Sequence, residues 1–238
     1  MLWRAAFALL VLVVVGAPLA RGTVHPPIIG VVIALVTAAF LASSLNYIVR
    51  RRPPAVPLLG WVFSLLALYT VFQTVDLPAA VIKLLSPKTH ETLSFALEKI
   101  ALYGDAVSRP LSLDPAATEL QALIGLALAM ALIVAYRAGR RENGLRDIQI
   151  TILAAAMAVV LVSFGFRVFQ FSLWPDDRGV VHLPGVLSST FRNINHFAAF
   201  LVLALPTAIG FAIDVERSPL RRSIAAGIAC LLAIAIVL

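Results

Sequence analysis

Hydrophobic runs of about 20 residues recur along the chain, separated by short stretches that carry charges, prolines and turn residues. Because a bilayer core of roughly 30 Å requires about 20 apolar residues of helix, each run predicts a membrane span. The pattern predicts seven spans, the last of them truncated: 2–20, 27–49, 57–75, 117–136, 148–170, 194–213 and 224–238. It is typical of an all-α fold, a polytopic transmembrane helix bundle that forms a single domain over 1–238.

The final run is 15 residues long and ends in mid-span without a flanking charge or turn. Fifteen residues are short for a bilayer crossing, which needs about 20. We therefore expect the chain to be the N-terminal part of a longer protein.

The segment 76–116, between the third and fourth spans, has an amphipathic pattern. Apolar positions recur at helical spacing: Leu93, Ala96, Leu97, Ile100 and Tyr103. We expect a helix that lies on the membrane surface, or one whose apolar face packs on the spans beneath it. The pairs Ser86-Pro87 and Asp114-Pro115 are typical helix starts, with a capping side chain followed by proline at the first helical position.

Composition supports a membrane protein, since 61% of the residues are hydrophobic, 13% are charged and the mean hydropathy is +0.97. A soluble domain of this size cannot bury that much apolar surface. The net charge of +7 therefore indicates arginines that orient the spans in the membrane, and no nucleic-acid partner is expected. The single cysteine, Cys230, excludes an intrachain disulfide and a cysteine-based metal site.

Arginines collect in alternate connections between the spans: Arg50, Arg51, Arg52, Arg137, Arg140, Arg141, Arg146, Arg217, Arg221 and Arg222. By the positive-inside rule these connections are cytoplasmic, so the N-terminus is inside and the segments 76–116 and 171–193 are outside. The first span can also be read as a signal peptide ending in "GAPLA", although proline at the −3 position argues against cleavage. Both readings leave the orientation of the later spans unchanged.

Motifs of soluble enzymes are absent from the sequence: it has no glycine-rich phosphate loop, G-x-S-x-G or H-E-x-x-H. The four histidines lie in separate segments without ligand spacing. We therefore expect neither a metal site nor a cofactor.

Polar side chains gather instead around the outer ends of the fifth and sixth spans. Arg167 lies near the end of the fifth span, either snorkelling to the headgroups or facing a cavity that holds an anionic substrate. Asp176 and Asp177 precede Arg178 in the outer loop. Paired carboxylates can do acid and base chemistry, but a turn with a local ion pair is the favoured interpretation.

The stretch "SSTFRNINHFAAF" follows, at the start of the sixth span. With Asn193 as N-cap, a helix of about 20 residues runs from Ile194. Capping accounts for Asn193 but not for Arg192, Asn195 and His196. A helix N-terminus favours anions, so these side chains predict a phosphate or pyrophosphate site. Arg192 and His196 are four residues apart and share a helix face, where an anion or a neutral histidine would relieve their repulsion.

This stretch resembles a segment of the O-antigen ligase and polymerase superfamily of bacterial inner-membrane proteins. The matching residues are Thr190, Phe191, Asn193, Asn195, His196, Phe197 and Ala198. The usual glycine before Thr190 is Ser189, and the usual upstream arginine is absent at Val186 and Leu187. Arg178, Arg192 or Arg167 can supply that charge.

The resemblance implies a GT-C type membrane glycosyltransferase of cell-surface polysaccharide biosynthesis, without a cofactor. Its partners would be a polyprenyl-diphosphate-linked glycan, membrane lipids and an acceptor glycolipid, glycan or protein on the periplasmic side. Family members use a histidine and arginines in a large outer loop of the C-terminal half, so no catalytic residue is assigned here. The expected substrate-binding residues are Arg192, Asn193, Asn195, His196, Arg167 and Arg178.

Two alternatives belong to other classes. The first is a polysaccharide flippase or other transporter, although transporters tend to carry ionisable residues near the midplane in repeated halves. In this sequence the charges lie at the outer boundary and no repeat is visible. The second is a structural or interaction protein without chemistry.

Overall fold

The computed structural model describes residues 1–20, 25–51, 53, 55–100, 109–169, 191, 194–214 and 218–237. In these residues the secondary structure is helical, apart from one isolated bridge. The helices are α1 Leu2–Leu19, α2 Pro26–Val49, α3 Leu58–Phe72, α4 Ala79–Leu85, α5 Pro87–Ile100, α6 Pro115–Gly139, α7 Gly144–Phe169, α8 Ile194–Ile213 and α9 Pro219–Val237.

Six of the described helices are long and apolar enough to cross a membrane: α1, α2, α6, α7, α8 and α9. The chain is therefore a multi-pass membrane protein. Two predicted spans differ most from the structure. The third, predicted over 57–75, is α3 with 15 residues, about 22 Å at 1.5 Å per residue. The last, predicted as truncated over 224–238, starts earlier at Pro219 and has 19 helical residues.

Helix starts follow the capping chemistry that the sequence indicates. At α6 the Asp114 carboxylate accepts a hydrogen bond from the Ala117 backbone N–H at 3.0 Å, and the Thr118 hydroxyl donates to the Asp114 carbonyl at 2.8 Å. The helix begins with Pro115, as predicted. At α5 the Ser86 hydroxyl instead donates to the Thr89 hydroxyl oxygen at 2.8 Å.

The segment 76–116 is closed at its base. Leu77 and Arg109 exchange backbone hydrogen bonds of 2.7 and 2.9 Å, and the Ser112 N–H donates to the Gln73 carbonyl at 2.9 Å. The segment contains α4, which the sequence pattern did not predict, as well as α5. The end of α3 and the start of α6 are therefore next to each other.

The predicted apolar face of α5 is described only in part. Leu93 is half-buried and Ala96 is exposed. Tyr103 and the side chains of Leu97 and Ile100 lie outside the described residues. Whether α5 lies on the membrane or packs on neighbouring helices therefore stays a prediction.

Contacts divide the chain into two compact units, 1–54 with 134–238, and 55–133. In the first unit α1 packs against α2 and α7, and α8 packs against α9 and α7. One core cluster lies among α7, α8 and α9: Leu153, Ala156, Val159, Val160, Phe197, Leu201, Ala204, Ala208, Leu232 and Ala235. The alanines let the helix backbones approach closely, as is usual between membrane helices.

Large apolar side chains stay exposed on the outer faces of the spans, among them Leu161 at 64% and Leu203 at 76%. In water such surfaces favour association or aggregation. In a bilayer they contact lipid chains, which are as apolar as leucine. In this fold, buried apolar residues therefore mark contacts between helices, and exposed apolar residues mark the surface that faces lipid.

Candidate functional site

The sixth predicted span begins where the sequence placed it, since α8 starts at Ile194. Asn195 and His196 lie in its first turn, and both are exposed. Phe197, the next residue, is 1% exposed and belongs to the core cluster with α7 and α9. Because successive helical residues point about 100° apart, burial of Phe197 directs Asn195 and His196 away from that core.

Aromatic packing anchors the same turn. The ring of Phe191 lies 6.1 Å from that of Phe197, edge to face, and 5.9 Å from that of Phe200. Aromatic pairs at such separations contribute about 0.5–1.5 kcal/mol beyond their buried area. The two phenylalanines of the motif, Phe191 and Phe197, thus have a packing role that holds the start of α8.

The other predicted substrate-binding residues are not described. Arg178, Arg192 and Asn193 lie outside the described residues. Arg167 is in the last turn of α7, but its side chain is outside them as well. Of the six-residue set, Asn195 and His196 alone have described surroundings, so the set stays a prediction.

Sequence reasoning missed a buried arginine at the other end of the first unit. Arg137 was expected in a solvated connection, but α6 continues to Gly139 and leaves Arg137 only 4% exposed. Its guanidinium donates to the Ser43 hydroxyl at 3.1 Å and to the Ser44 hydroxyl at 3.0 Å. The same guanidinium lies 5.6 Å from the ring centre of Phe40 and 4.8 Å from that of Tyr47.

These two serines and two aromatic residues belong to α2. Their spacing over 40–47 puts them along one side of that helix, and two adjacent serines flanked by aromatic residues in a mainly apolar span were the available signal. The arrangement joins α2 to α6 by charge-assisted hydrogen bonds and cation–π contacts in place of purely apolar packing.

A cavity of about 660 Å³ lies where α1 begins, α6 ends and α7 starts. We call it the basic pocket. Its aromatic wall is formed by Trp3 and Phe7, and its charged lining residues are Arg4, Arg140, Arg141, Glu142 and Asp147. The guanidinium of Arg141 lies 4.0 Å above the ring of Trp3.

The turn between α6 and α7 shapes this pocket. The N–H of Arg141 donates to the Ala138 carbonyl at 3.0 Å, and that of Gly144 donates to the Arg141 carbonyl at 2.9 Å. Asn143 has a φ of 61°, in the left-handed region that asparagine tolerates better than most residues. A methyl group on Gly144 would overlap the Ala138 backbone, so the close approach requires glycine.

Within the part of the chain that the structure describes, no group of three histidine, cysteine, aspartate or glutamate side chains is placed to hold a metal ion. Comparisons with family profiles, with curated proteins and with solved structures find no match to this chain.

Proposed function

We propose that the protein acts in the transfer of a glycan from a polyprenyl diphosphate carrier to an acceptor on the periplasmic side of a bacterial inner membrane. It would do so as a membrane glycosyltransferase similar to O-antigen ligases and polymerases. The observation that carries the proposal is the polar start of α8. There Asn195 and His196 are exposed in the first turn while Phe197 is held in the core.

The chemistry of that turn suits a diphosphate. The first N–H groups of a helix lack intrahelical acceptors, and the helix dipole puts partial positive charge there. Asn195 and His196 add side-chain donors at the same level. Arg192, Arg178 and Arg167 carry the positive charge that the proposal assigns to neutralising the diphosphate.

Orientation is the second part of the proposal. Arginine-rich connections follow α2, α6 and α8, which by the positive-inside rule puts the N-terminus in the cytoplasm. The start of α8 then lies on the periplasmic side, where lipid-linked glycans are consumed. Phosphate recognition at the opposite side would require the reverse orientation.

The experiment is deletion of the gene in the organism that encodes it, followed by measurement of the lipid-linked glycan and of its sidedness. A missing transferase leaves the intermediate on the outer face of the inner membrane, where it is open to externally added glycan-modifying enzymes. Accumulation on the inner face would identify a flippase. An unchanged pool on both faces would overturn both functions.

Complementation with site variants tests the role of α8. We expect His196→Ala and Asn195→Ala each to reduce glycan transfer at least about tenfold, the loss that corresponds to about 1.4 kcal/mol of substrate or transition-state binding. Both side chains are exposed, so the membrane level on immunoblots should not change. His90→Ala, which changes a histidine of α5, is the matched control and should complement fully. Full transfer by both α8 variants would remove this turn from the site.

A further inference from the structure

The basic pocket has a polar half and an apolar half, and this division identifies the kind of ligand it fits. Arg4, Arg140 and Arg141 supply three positive charges against two negative ones from Glu142 and Asp147. Asp147 lies in the first turn of α7, where the helix dipole stabilises a carboxylate. The remaining excess of positive charge favours an anion.

The opposite wall is apolar. Trp3, Phe7 and Ala8 line the cavity and belong to α1, a helix long and apolar enough to cross the membrane. Trp3 and Phe7 stack with their ring centres 6.4 Å apart, so their surface continues from the charged rim along the span. A ligand that satisfies both halves has an anionic head and a hydrocarbon tail.

The position of the pocket agrees with that chemistry. It lies at the ends of three helices, α1, α6 and α7, and tryptophan side chains concentrate at the level of lipid headgroups. Arg141 is half-buried and held over Trp3 at 4.0 Å, so one guanidinium is positioned before any ligand arrives. Basic pockets between membrane helices are a common means of holding anionic headgroups.

We propose that the basic pocket binds one anionic phospholipid of the adjoining leaflet, with the headgroup phosphodiester between Arg4, Arg140 and Arg141 and an acyl chain along Trp3 and Phe7. The lipid would join the start of α1 to the turn between α6 and α7. This site is distinct from the proposed glycan site at the start of α8, and neither proposal depends on the other.

Trp3 provides the readout. The chain contains three tryptophans, and Phe replacements of Trp61 and Trp174 leave Trp3 as the fluorophore. The full chain with these replacements is reconstituted in phosphatidylcholine vesicles that contain either brominated phosphatidylglycerol or brominated phosphatidylcholine, since bromine quenches tryptophan on contact. We expect phosphatidylglycerol to quench Trp3 at a several-fold lower mole fraction. Equal quenching by the two lipids would overturn the proposal.

Charge variants test which residues hold the headgroup. Arg4→Gln and Arg140→Gln change exposed side chains, and each should reduce the preference for phosphatidylglycerol in part, by at most about fivefold, the change that corresponds to about 1 kcal/mol per cation. The double variant should abolish it. Arg146→Gln with Arg221→Gln removes two exposed arginines that do not line the pocket and is the matched control. If the control pair reduces the preference as much, the attraction belongs to the whole surface and the proposal fails.

Inorganic phosphate distinguishes a lipid from a soluble anion. At millimolar concentration it should not relieve quenching of Trp3 by brominated phosphatidylglycerol, because it lacks the chain that contacts the apolar wall. Relief by phosphate would assign the pocket to a soluble phosphate ligand and overturn the lipid assignment.

Discussion

Arg137 shows how one side chain can decide which two helices meet. Arg137 is 4% exposed and lies in the last turn of an apolar span. An uncompensated arginine costs roughly 2.5–3.5 kcal/mol at the centre of a membrane helix on insertion scales, and less toward its end. Two serine hydroxyls and two aromatic rings of α2 surround the Arg137 guanidinium. Because guanidinium has several donors in one plane, it can bond Ser43 and Ser44 at once.

Arg137→Ala removes two charge-assisted hydrogen bonds and two cation–π contacts. It should therefore destabilise the first unit by at least about 2 kcal/mol, since one hydrogen bond to a charged group is worth about 1.5–3 kcal/mol. The measurement is unfolding of the detergent-solubilised chain by dodecyl sulfate. A double-mutant cycle with Ser44→Ala should give a coupling between about 0.6 and 1.7 kcal/mol, the average and the maximum found for hydrogen bonds between membrane helices. Arg146→Ala, at an exposed position, is the control. Additive losses from Arg137→Ala and Ser44→Ala would contradict the contact.

At the scale of single elements, local chemistry decides where helices begin and tertiary contacts decide how far they run. Asp114 caps α6 through the Ala117 N–H, and this start was readable from the Asp-Pro pair. The far end of α6 was not, because the predicted span stopped before Arg137, whereas its contacts with α2 keep that charge inside the helix. An apolar pattern therefore underestimates a helix whose last turn is polar but buried.

Helix α5 carries an exposed ion pair whose pH dependence has a definite sign. Lys88 donates a hydrogen bond to the Glu91 carboxylate at 2.8 Å, and this bond, with the positive charge, holds the pKa of Glu91 below its usual 4.5. A carboxyl whose pKa is lower when folded stabilises the helix above its unfolded pKa. That contribution is lost as the pH falls through the folded value.

We therefore expect a carboxyl-carbon NMR titration of the full chain to give Glu91 a pKa below its usual 4.5. Lys88→Met should move its pKa back up, because methionine has neither the positive charge nor an N–H donor. Lys83→Met, in α4, should leave it unchanged. A titration of Glu91 that is identical with and without Lys88 would show that the pair does not form.

At the scale of the whole molecule, the contacts of Arg137 bear on topology. They join the last turns of α2 to the last turn of α6, so these two helices end at the same side. Helix α6 itself crosses the membrane, so it begins on the opposite side from the end of α2. The chain must therefore cross the membrane once between the end of α2 and the start of α6. Among the residues of that interval that the structure describes, α3 is the apolar helix of more than ten residues. Although about 22 Å is short, a bilayer can thin locally around a short span.

We predict that α3 crosses the membrane. In a Cys230→Ser background, single cysteines replace Arg50, Glu91 or Glu142, and a membrane-impermeant maleimide is added to one side of the membrane at a time. Arg50→Cys and Glu142→Cys should share one side, and Glu91→Cys should react from the other. If Glu91→Cys shares a side with Arg50→Cys, α3 does not cross and the orientation of α6 to α9 is reversed.

Apolar runs and capping residues were sufficient to predict the helical class, the start of α8 at Ile194 and the start of α6 at Pro115. They act through neighbouring residues, by hydrogen bonds within one turn and by lipid solubility of a continuous segment. The candidate substrate residues also came from the sequence. Their local pattern is visible in the sequence. Whether their side chains meet depends on the geometry of loops, which a short sequence pattern does not specify.

Only the tertiary structure decided what depends on distant chain segments. Burial of Arg137 needs Ser43 and Ser44 from another helix, and the basic pocket needs α1, α6 and α7 together. Sequence periodicity identifies an apolar face but not its neighbour, because lipid and a packed helix satisfy that face almost equally well. The choice between them comes from close packing and specific polar contacts, which exist only once the helices have assembled.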